Sequence, residues 1–433
     1  MTRCHDVIGI GFGPANLALA IALEEEGYGL DVRFLESSAG PSWQSAMMLD
    51  GSDIQNHPVR DLVSLRNPRS RYSFINFLFE NGRLLEHLNV PMEFPLRKEY
   101  AQYVTWAARL LGGQVDYGVH VTGVALGKDA EGESYYEVTT STGEVLRARA
   151  LVIGTGRSPF VPAPFDEVDS PRVFHLTRYL PALQEMEALG ARQDGGRTPR
   201  AVVVVGGSQS AVELTLDLSR RYPTAQVTNL ARSLTLRQKD TSPFSEEGYF
   251  PHFTDYYYRA TRERKNAIDA FMRPTNYSSA DGDVLRELYR LMYEQRIDGD
   301  QRVRVRGSRQ VRSLEVGEDG VRLSVDELNT GAHEELEADF VVLATGFRDL
   351  GPASHQERVP ALVRHIADDF VFDDHGYLVV GTDYEVRPAD VTTPALFLNG
   401  LCESSHGIGD AGSFSLLSLR AKIIADSLWK RLA

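Results

Sequence analysis

Residues 6–16 have the sequence Asp-Val-Ile-Gly-Ile-Gly-Phe-Gly-Pro-Ala-Asn, an apolar run that leads directly into a glycine-rich turn. The run predicts a parallel β-strand that is covered on both faces. Gly11 and Gly13 occupy the first two positions of a dinucleotide-binding fingerprint, where a tight turn and close approach of the backbone to a pyrophosphate exclude side chains. The helix predicted for residues 15–24 directs its first amides at the phosphates. The stretch therefore predicts a nucleotide-binding strand, turn and helix.

The rest of this unit agrees with the fingerprint except at one position. Asn16 stands where the third glycine is expected. Residues 31–36 predict the next strand, and Glu36 at its end is placed to accept a hydrogen bond from a ribose. An ordinary tight turn is the alternative for a glycine pair alone, but the strand, the helix and the terminal acid together favour a nucleotide site.

A second glycine-rich turn follows the apolar strand predicted for residues 201–205. Gly206 opens this turn, and Ser208 replaces the second glycine. The next predicted strand, residues 226–230, leads to Arg232 and not to an acid, which favours the extra phosphate of NADPH over the free ribose of NADH. The alternative is that Arg232 is a solvated surface arginine. Two such turns in one chain predict a flavoenzyme that is reduced by a nicotinamide.

Two more apolar segments that end in Thr-Gly turns, residues 151–156 and 341–347, lie on either side of the second glycine turn. In folds with two dinucleotide sites, such strands mark the crossings between the nucleotide domains. The predicted fold class is α/β, with two Rossmann-like domains and a small helical substrate-binding region. The FAD-binding domain is predicted to comprise residues 1–165 and 345–433, and the NADPH-binding domain is inserted at 166–344.

Composition limits the class of protein. The formal charge of −14 over 433 residues argues against nucleic acid or an anionic membrane surface as partner. No apolar run has membrane-spanning length and no leader is recognised, so the expected location is the cytoplasm. Cys4 and Cys402 form no CxxC pair, which disfavours flavoproteins that work through a redox-active disulfide. No cluster has metal-ligand spacing, so no metal is expected, and residues 186–200 predict a solvated loop.

The chain resembles the bacterial and fungal N-hydroxylating flavin monooxygenases that act on ornithine or lysine. The resemblance covers nearly the whole chain and rests on residues 11–17, 43–48, 55, 60–68, 174–175, 206–211, 240–244, 275–278, 344–347 and 405–407. It implies that NADPH reduces FAD, that dioxygen adds to give a 4a-hydroperoxyflavin, and that a neutral primary amine takes up the distal oxygen. It also implies a homo-oligomer and a role in the biosynthesis of hydroxamate siderophores or related natural products.

The resemblance implies roles for single residues as well. Gln55 would lie near the reactive edge of the flavin, and Asn276 would hold the substrate carboxylate and the nicotinamide ribose; these two are the predicted catalytic residues. Arg60 and Ser418 would bind substrate, with residues 240–300 contributing to the pocket. Trp43 has the alternative of a core tryptophan. The implied cofactor contacts are Gly11, Gly13, Pro14, Asn16, Glu36, Trp43, Gln55, Gly206, Ser208, Gln209, Ser210, Arg232 and Gly346.

Three departures from the family pattern fall in the predicted substrate pocket. Arg60 replaces a usual lysine and keeps the positive charge for a carboxylate. Glu246 replaces a usual asparagine, and its carboxylate would bind an ammonium group or pair with Arg60. The C-terminal loop is longer and adds Asp410 and Ser413. The alternatives left open are a diamine such as putrescine or cadaverine, the α-amine of another amino acid, and a non-catalytic flavoprotein.

Overall fold

Apolar runs form most of the central strands of two sheets in the computed structural model, which describes residues 3–193, 198–410 and 413–433. In chain order the strands are β1 (Cys4–Ile10), β2 (Val32–Glu36), β3 (Val115–Tyr117), β4 (Val121–Lys128), β5 (Ser134–Thr140), β6 (Val145–Ile153), β7 (Val173–His175), β8 (Ala201–Val205), β9 (Gln226–Leu230), β10 (Val303–Arg306), β11 (Arg309–Val316), β12 (Val321–Glu327), β13 (His333–Ala338), β14 (Phe340–Leu343) and β15 (Ala395–Leu398).

The helices connect and cover these strands. The α-helices are α1 (Pro14–Glu26), α2 (Phe74–Glu80), α3 (Leu84–Asn89), α4 (Arg97–Leu110), α5 (Tyr179–Gln193), α6 (Gln209–Arg221), α7 (Pro243–Glu246), α8 (Pro251–Arg259), α9 (Arg262–Met272), α10 (Gly282–Ile297), α11 (Glu403–His406) and α12 (Leu417–Leu432). Short 3-10 helices span Ser45–Met47, Leu176–Arg178, Glu247–Tyr249, Arg273–Thr275 and Ala361–Asp369. Within the described ranges, no helix combines the length and the apolar character needed to cross a bilayer.

The prediction of a loop over residues 186–200 was wrong for its first part. Helix α5 continues to Gln193, and residues 194–197 lie outside the described residues. Ala182, Leu183 and Met186 are buried along one face of α5 and pack into the core beside the second sheet. Burial of this apolar face stabilises α5 as far as Met186, and the helix continues from there to Gln193.

The first sheet has the order β3-β2-β1-β6-β5-β4, and β15 also pairs with β6. One edge of β6 pairs in parallel with β1. The opposite edge pairs first with antiparallel β5 and then with parallel β15, which places Leu396 opposite Leu151. Because β15 comes from near the C-terminus, the two ends of the chain build one sheet together.

The second sheet has the order β10-β9-β8-β14-β7, and all of its pairs are parallel. Its strands lie between β6 and β15 in the chain, so this sheet is inserted into the first. The order confirms the predicted fold class, whereas the boundaries at residues 165 and 345 stay predictions. A third sheet, antiparallel β11-β12-β13, was not predicted and packs through Leu323 and Val325 against Val203 and Leu343 of the second sheet.

A chain of buried polar groups joins the first glycine turn to the C-terminal loop. Asn399 Nδ2 donates to Asn16 Oδ1 at 3.1 Å, and Arg420 Nε donates to Asn399 Oδ1 at 2.9 Å. Arg420 Nη1 then meets Asp410 Oδ1 at 2.8 Å, and Asp410 Oδ2 accepts the Cys402 N–H at 2.9 Å. Asp410 was predicted to lie in the substrate pocket, but its side chain is fully buried in this pair. The Asp410 carboxylate therefore has a structural partner in Arg420, without which a buried carboxylate would be costly.

Replacement of Arg420 should destabilise the fold strongly. Arg420→Met leaves Asp410 buried without its counter-charge, so the free energy of unfolding should fall by about 3–5 kcal/mol. Urea denaturation followed by tryptophan fluorescence measures this change. Arg431→Met on the same helix removes an exposed pair with Glu385 and should cost about 1 kcal/mol or less. Equal effects of the two substitutions would contradict the role given to Arg420.

Candidate functional site

A cavity of about 1120 Å³ opens beyond the carboxyl ends of the second sheet, the edge at which parallel sheets bind ligands. Its other walls come from residues 43–60, from the helical region at 246–278 and from residues 413–415. The predicted site residues that line it are Trp43, Gln55, Arg60, Gly206, Ser208, Gln209, Ser210, Arg232, Glu246, Asn276 and Gly346. The predicted residues outside its lining are Gly11, Gly13, Pro14, Asn16, Glu36 and Ser418.

The first glycine turn, between β1 and α1, has the geometry of a pyrophosphate cradle. Gly11 has a φ of +82°, and a Cβ there would lie 2.8 Å from the carbonyl oxygen of Gly154. Gly13 has ordinary extended backbone, and a Cβ there would meet no protein atom within 4 Å. Pro14 begins α1, whose first amides are free to face a ligand. The open space beside Gly13 thus fits a phosphate group and not a packing contact.

Glu36 and Asn16 brace this turn from inside the protein. Glu36 Oε2 accepts the Phe12 N–H at 2.7 Å, and its Oε1 accepts from Ser38. Burial opposes ionisation, but these hydrogen bonds outweigh it and lower the pKa of Glu36. Asn16 is fully buried and donates to the carbonyl oxygens of Ile10 and Gly11. A ribose contact of Glu36 and a cofactor contact of Asn16 stay predictions.

The second glycine turn leads into α6 and differs from the first in its use of side chains. Ser208 is the N-cap residue of α6, and its hydroxyl makes no capping bond. Gln209 is engaged with protein at both amide atoms: Oε1 accepts the Asp281 N–H at 2.8 Å and Nε2 donates to Glu213 at 3.0 Å. Arg232 is exposed and forms no ion pair with any described residue. Arg232 is thus available for a phosphate, whereas the Gln209 side chain is already bonded.

Gln55 projects from a strained turn. Its φ is +52°, a left-handed conformation that is uncommon outside glycine. Asp53 Oδ1 accepts the Gln55 N–H at 2.9 Å and holds this turn. Burial raises the pKa of Asp53 to about 6, and the carboxylates of Asp281 and Glu213 add to the effect. Several carboxylates therefore lie close to the turn that carries Gln55.

Arg60 and Glu246 form an ion pair in the cavity wall. Arg60 Nη1 lies 3.3 Å from Glu246 Oε2 and 3.3 Å from Ser415 Oγ. The two side chains keep 24% and 29% of their surface exposed, so neither is closed to a ligand. Trp43 also lines the cavity; it is partly buried against the core and packs edge-on against Phe414.

Asn276 borders a cluster that sequence reasoning missed. Next to it, Tyr277 accepts from Arg157 Nη1 at 2.8 Å, and the same Nη1 donates to Asp349 at 2.9 Å. The Tyr277 hydroxyl donates to Glu403, and burial together with Asp349 raises the pKa of Glu403 to about 8 against the charge of Arg157. Arg157 directly follows the quoted segment 151–156 and Tyr277 lies within 275–278, but nothing in the sequence pairs them with Glu403.

Ser418 does not lie in the cavity lining. It is buried on α12 with 1% of its surface exposed, and its hydroxyl has no hydrogen-bond partner among the described residues. Its predicted contact with substrate stays a prediction. Ser413, by contrast, lines the cavity and donates to Ser415 at 2.8 Å, while residues 411–412 of the long loop lie outside the described part of the chain.

Known proteins resemble this chain over nearly its whole length. The family described as L-lysine 6-monooxygenase/L-ornithine 5-monooxygenase matches residues 3–349. An L-ornithine N(5)-monooxygenase of Burkholderia cepacia is 34% identical over 419 residues, which cover 93% of this chain and 89% of that protein. The ornithine N-hydroxylase of Kutzneria sp. 744, solved with reduced FAD, NADP+ and L-ornithine, has a TM-score of 0.89 at 31% identity, with both chains fully covered. The L-lysine 6-monooxygenase of Pseudomonas syringae has a TM-score of 0.85 at 31% identity, covering 99% of this chain and 100% of that one.

Substitution of Gly13 should separate cofactor binding from folding. In Gly13→Ala the added methyl meets no protein atom, so the apoprotein should keep its melting temperature. The methyl would occupy the space predicted for the FAD pyrophosphate and should cost about 1–3 kcal/mol of binding free energy. Flavin absorbance after gel filtration measures retained FAD. Gly11→Ala is the contrast, because strain and a backbone clash should destabilise the apoprotein; full FAD content in Gly13→Ala would contradict the assignment of the turn.

Proposed function

The chain belongs to the L-lysine 6-monooxygenase/L-ornithine 5-monooxygenase family, and we propose that it catalyses the FAD- and NADPH-dependent N-hydroxylation of the side-chain amine of L-ornithine or L-lysine. The observation that carries the proposal is a cavity whose walls include the second glycine turn, Gln55 and the Arg60–Glu246 pair. The product suits the biosynthesis of hydroxamate siderophores or related natural products. A cytoplasmic location and a homo-oligomeric state stay predictions.

The overall reaction sets what the protein has to do. One amine, one dioxygen, one NADPH and one proton give one hydroxylamine, one water and one NADP+. FAD, when bound, supplies the chemistry that passes electrons from NADPH to dioxygen. The protein binds the two nucleotides, orients a neutral amine and keeps water out of the cavity, and no protein nucleophile is needed.

The two glycine turns supply residues suited to the two cofactors. At the first turn, the amides that open α1 and the free space beside Gly13 suit the pyrophosphate of FAD. At the second turn, the amides that open α6 suit the pyrophosphate of NADPH, and Ser208 has a free hydroxyl there. Arg232 follows β9, where the fingerprint predicts a contact with the extra phosphate, and its guanidinium is exposed and unpaired within the described structure. NADPH is therefore favoured over NADH.

The Arg60–Glu246 pair suits the head group of an amino acid. A guanidinium has five N–H donors, and the Arg60 side chain uses only Nη1 in its contacts with the described residues. Its other N–H groups can bind an α-carboxylate, while Glu246 binds the α-ammonium group. A zwitterion thus finds an opposite charge for each of its own, and the far end carries the amine to be hydroxylated. Asn276 lines the same cavity, and we expect it to add a contact to the head group.

A diamine is the second candidate, and Glu246 is the observation that favours it. A carboxylate in the cavity wall can bind the ammonium group of putrescine or cadaverine. Arg60, 3.3 Å from Glu246, would repel that same ammonium group. The zwitterion satisfies both residues, and therefore the amino acid is the preferred substrate.

Product formation across a panel of amines tests the proposed function. With FAD-loaded enzyme and NADPH, ornithine or lysine should give hydroxylamine in near-equal amount to the NADPH consumed. Putrescine and cadaverine should give mainly hydrogen peroxide, because they lack the carboxylate that Arg60 binds. Hydroxylamine, peroxide and NADPH are measured in the same samples.

Glu246→Gln is the matched variant for this panel. Removal of one negative charge should raise the KM for the amino acid, since its ammonium group loses a partner, and the diamines should not improve. Tight coupling with a diamine alone would overturn the substrate and keep the chemistry. Peroxide alone with every amine would support a flavoprotein that does not hydroxylate.

Arg232→Ala should reveal which nicotinamide is used. Loss of a charge-assisted contact to the extra phosphate should raise the KM for NADPH about tenfold and leave the KM for NADH nearly unchanged. Steady-state oxidation of both nucleotides gives the two constants. Equal changes for NADPH and NADH would place Arg232 outside phosphate recognition and favour the alternative of a solvated surface arginine.

A further inference from the structure

Gln55 is held at its backbone and at its side chain by different parts of the molecule. Its left-handed turn is fixed by Asp53, as described above, and the preceding segment is pinned by a hydrogen bond from Arg97 N to Ser52 O at 2.8 Å. Its side chain reaches the start of α10, where Nε2 donates to Asp281 Oδ2. Only the amide nitrogen can donate to a carboxylate, so this contact determines which way the amide of Gln55 is turned.

The Asp281 carboxylate contacts Gln55 instead of capping its own helix. It is the N-cap residue of α10, with extended backbone angles, and aspartate is among the best N-cap residues. Its carboxylate nevertheless makes no capping hydrogen bond. One oxygen accepts from Gln55, and the other lies 4.0 Å from Lys239 Nζ. Helix α10 thus begins without the side-chain cap that its own sequence offers.

The contact belongs to a ring of hydrogen bonds that includes the second glycine turn. The Asp281 N–H donates to Gln209 Oε1, and Gln209 Nε2 donates to Glu213, as described above. Glu213 accepts two bonds from Arg97 Nη2, at 2.9 and 3.0 Å. Arg97 returns the ring to the segment before Gln55 through Ser52 O. The residues that open α6 are therefore linked to Gln55 by two routes, through Asp281 and through Glu213 with Arg97.

We propose that Asp281 is a positioning residue, whose carboxylate turns the amide of Gln55 so that its Oε1 carbonyl is presented to the cavity in register with the second glycine turn. This inference rests on the proposed function, since it assigns Gln55 to the space shared by FAD, NADPH and the amine. Its consequence is that the bond between Asp281 and Gln55 controls how much NADPH is converted to hydroxylamine and how much to peroxide.

Asp281→Ser provides a test that separates thermal stability from the fraction of NADPH that yields hydroxylamine. Serine is a good N-cap residue, so the melting temperature should be kept or should rise, whereas the bond to Gln55 is lost. The ratio of hydroxylamine to peroxide should fall by about 2- to 30-fold, the range expected when a substitution removes one contact that links two sites. The change in the visible flavin spectrum on addition of NADP+ should shift in the same variant, which is a readout independent of turnover.

Three further variants make the test specific. Asp281→Asn keeps the shape, but its own amide can turn either way and no longer dictates the orientation of Gln55, so it should follow Asp281→Ser. Asp283→Asn removes an exposed charge two residues away and should behave like the unmodified enzyme. Gln55→Ala should uncouple the enzyme, and adding Asp281→Ser to it should produce no further loss, because Asp281 acts through Gln55.

The outcomes separate this inference from the proposed function. Additive losses in the double variant, or an Asp281→Ser variant that matches Asp283→Asn in coupling and in spectrum, would overturn the role of Asp281. Loss of coupling accompanied by a lower melting temperature in Asp281→Ser would assign the residue to folding and would also overturn it. Failure of the unmodified enzyme to hydroxylate any amine would reject the proposed function, and the NADP+-induced spectrum would still decide whether Asp281 and Gln55 act together.

Discussion

Close contact between a glycine and a backbone carbonyl oxygen sets the distance between each glycine-rich turn and the strand beside it. A Cβ at Gly11 would lie 2.8 Å from Gly154 O, and one at Gly206 would meet Ala344 O. Each glycine turn therefore rests directly on the end of the neighbouring parallel strand, β6 or β14. A side chain at either position would push the turn away from the strand, and the amides of the following helix would no longer face the same ligand.

The chain crosses between the two sheets just beyond these contacts, and the two crossings pair with each other. Phe160 N donates to Gly346 O at 2.9 Å, and Arg348 N donates to Ser158 O at 2.8 Å, in an antiparallel bridge. Arg157 then meets Asp349 across the same pair of segments. Because Gly346 also lines the cavity, this part of the cavity wall is built on hydrogen-bonded backbone. The shape of this wall thus follows from the insertion of the second sheet into the first.

Local charge, and not net charge, decides what this acidic protein can bind. The chain carries a formal charge of −14, yet Arg60, Arg157, Arg232 and Lys239 all border the cavity. Arg157 is neutralised by Asp349, and Arg60 shares its charge with Glu246. Arg232 has no such partner in the described structure, which suits it to a phosphate. Arg157 is therefore held in the structure of the cavity wall, whereas Arg232 and the unused N–H groups of Arg60 are left for ligands.

The sequence by itself determined the two nucleotide units, because their signals are local. The runs that form β1 and β8, and the glycines that end them, follow from burial on both faces and from close backbone approach. The family resemblance brought Gln55, Arg60, Glu246 and Asn276 to one pocket, and all four line the cavity. Only the tertiary structure decided the partners of these residues. Gln55 and Asp281 are 226 positions apart. The sequence predicts Asp410 in the pocket, whereas in the structure its charge is buried in a pair with Arg420. Periodicity and motifs depend on residues that are close in the sequence. A hydrogen bond between polar side chains that are distant in the sequence depends on how the sheets and helices pack together.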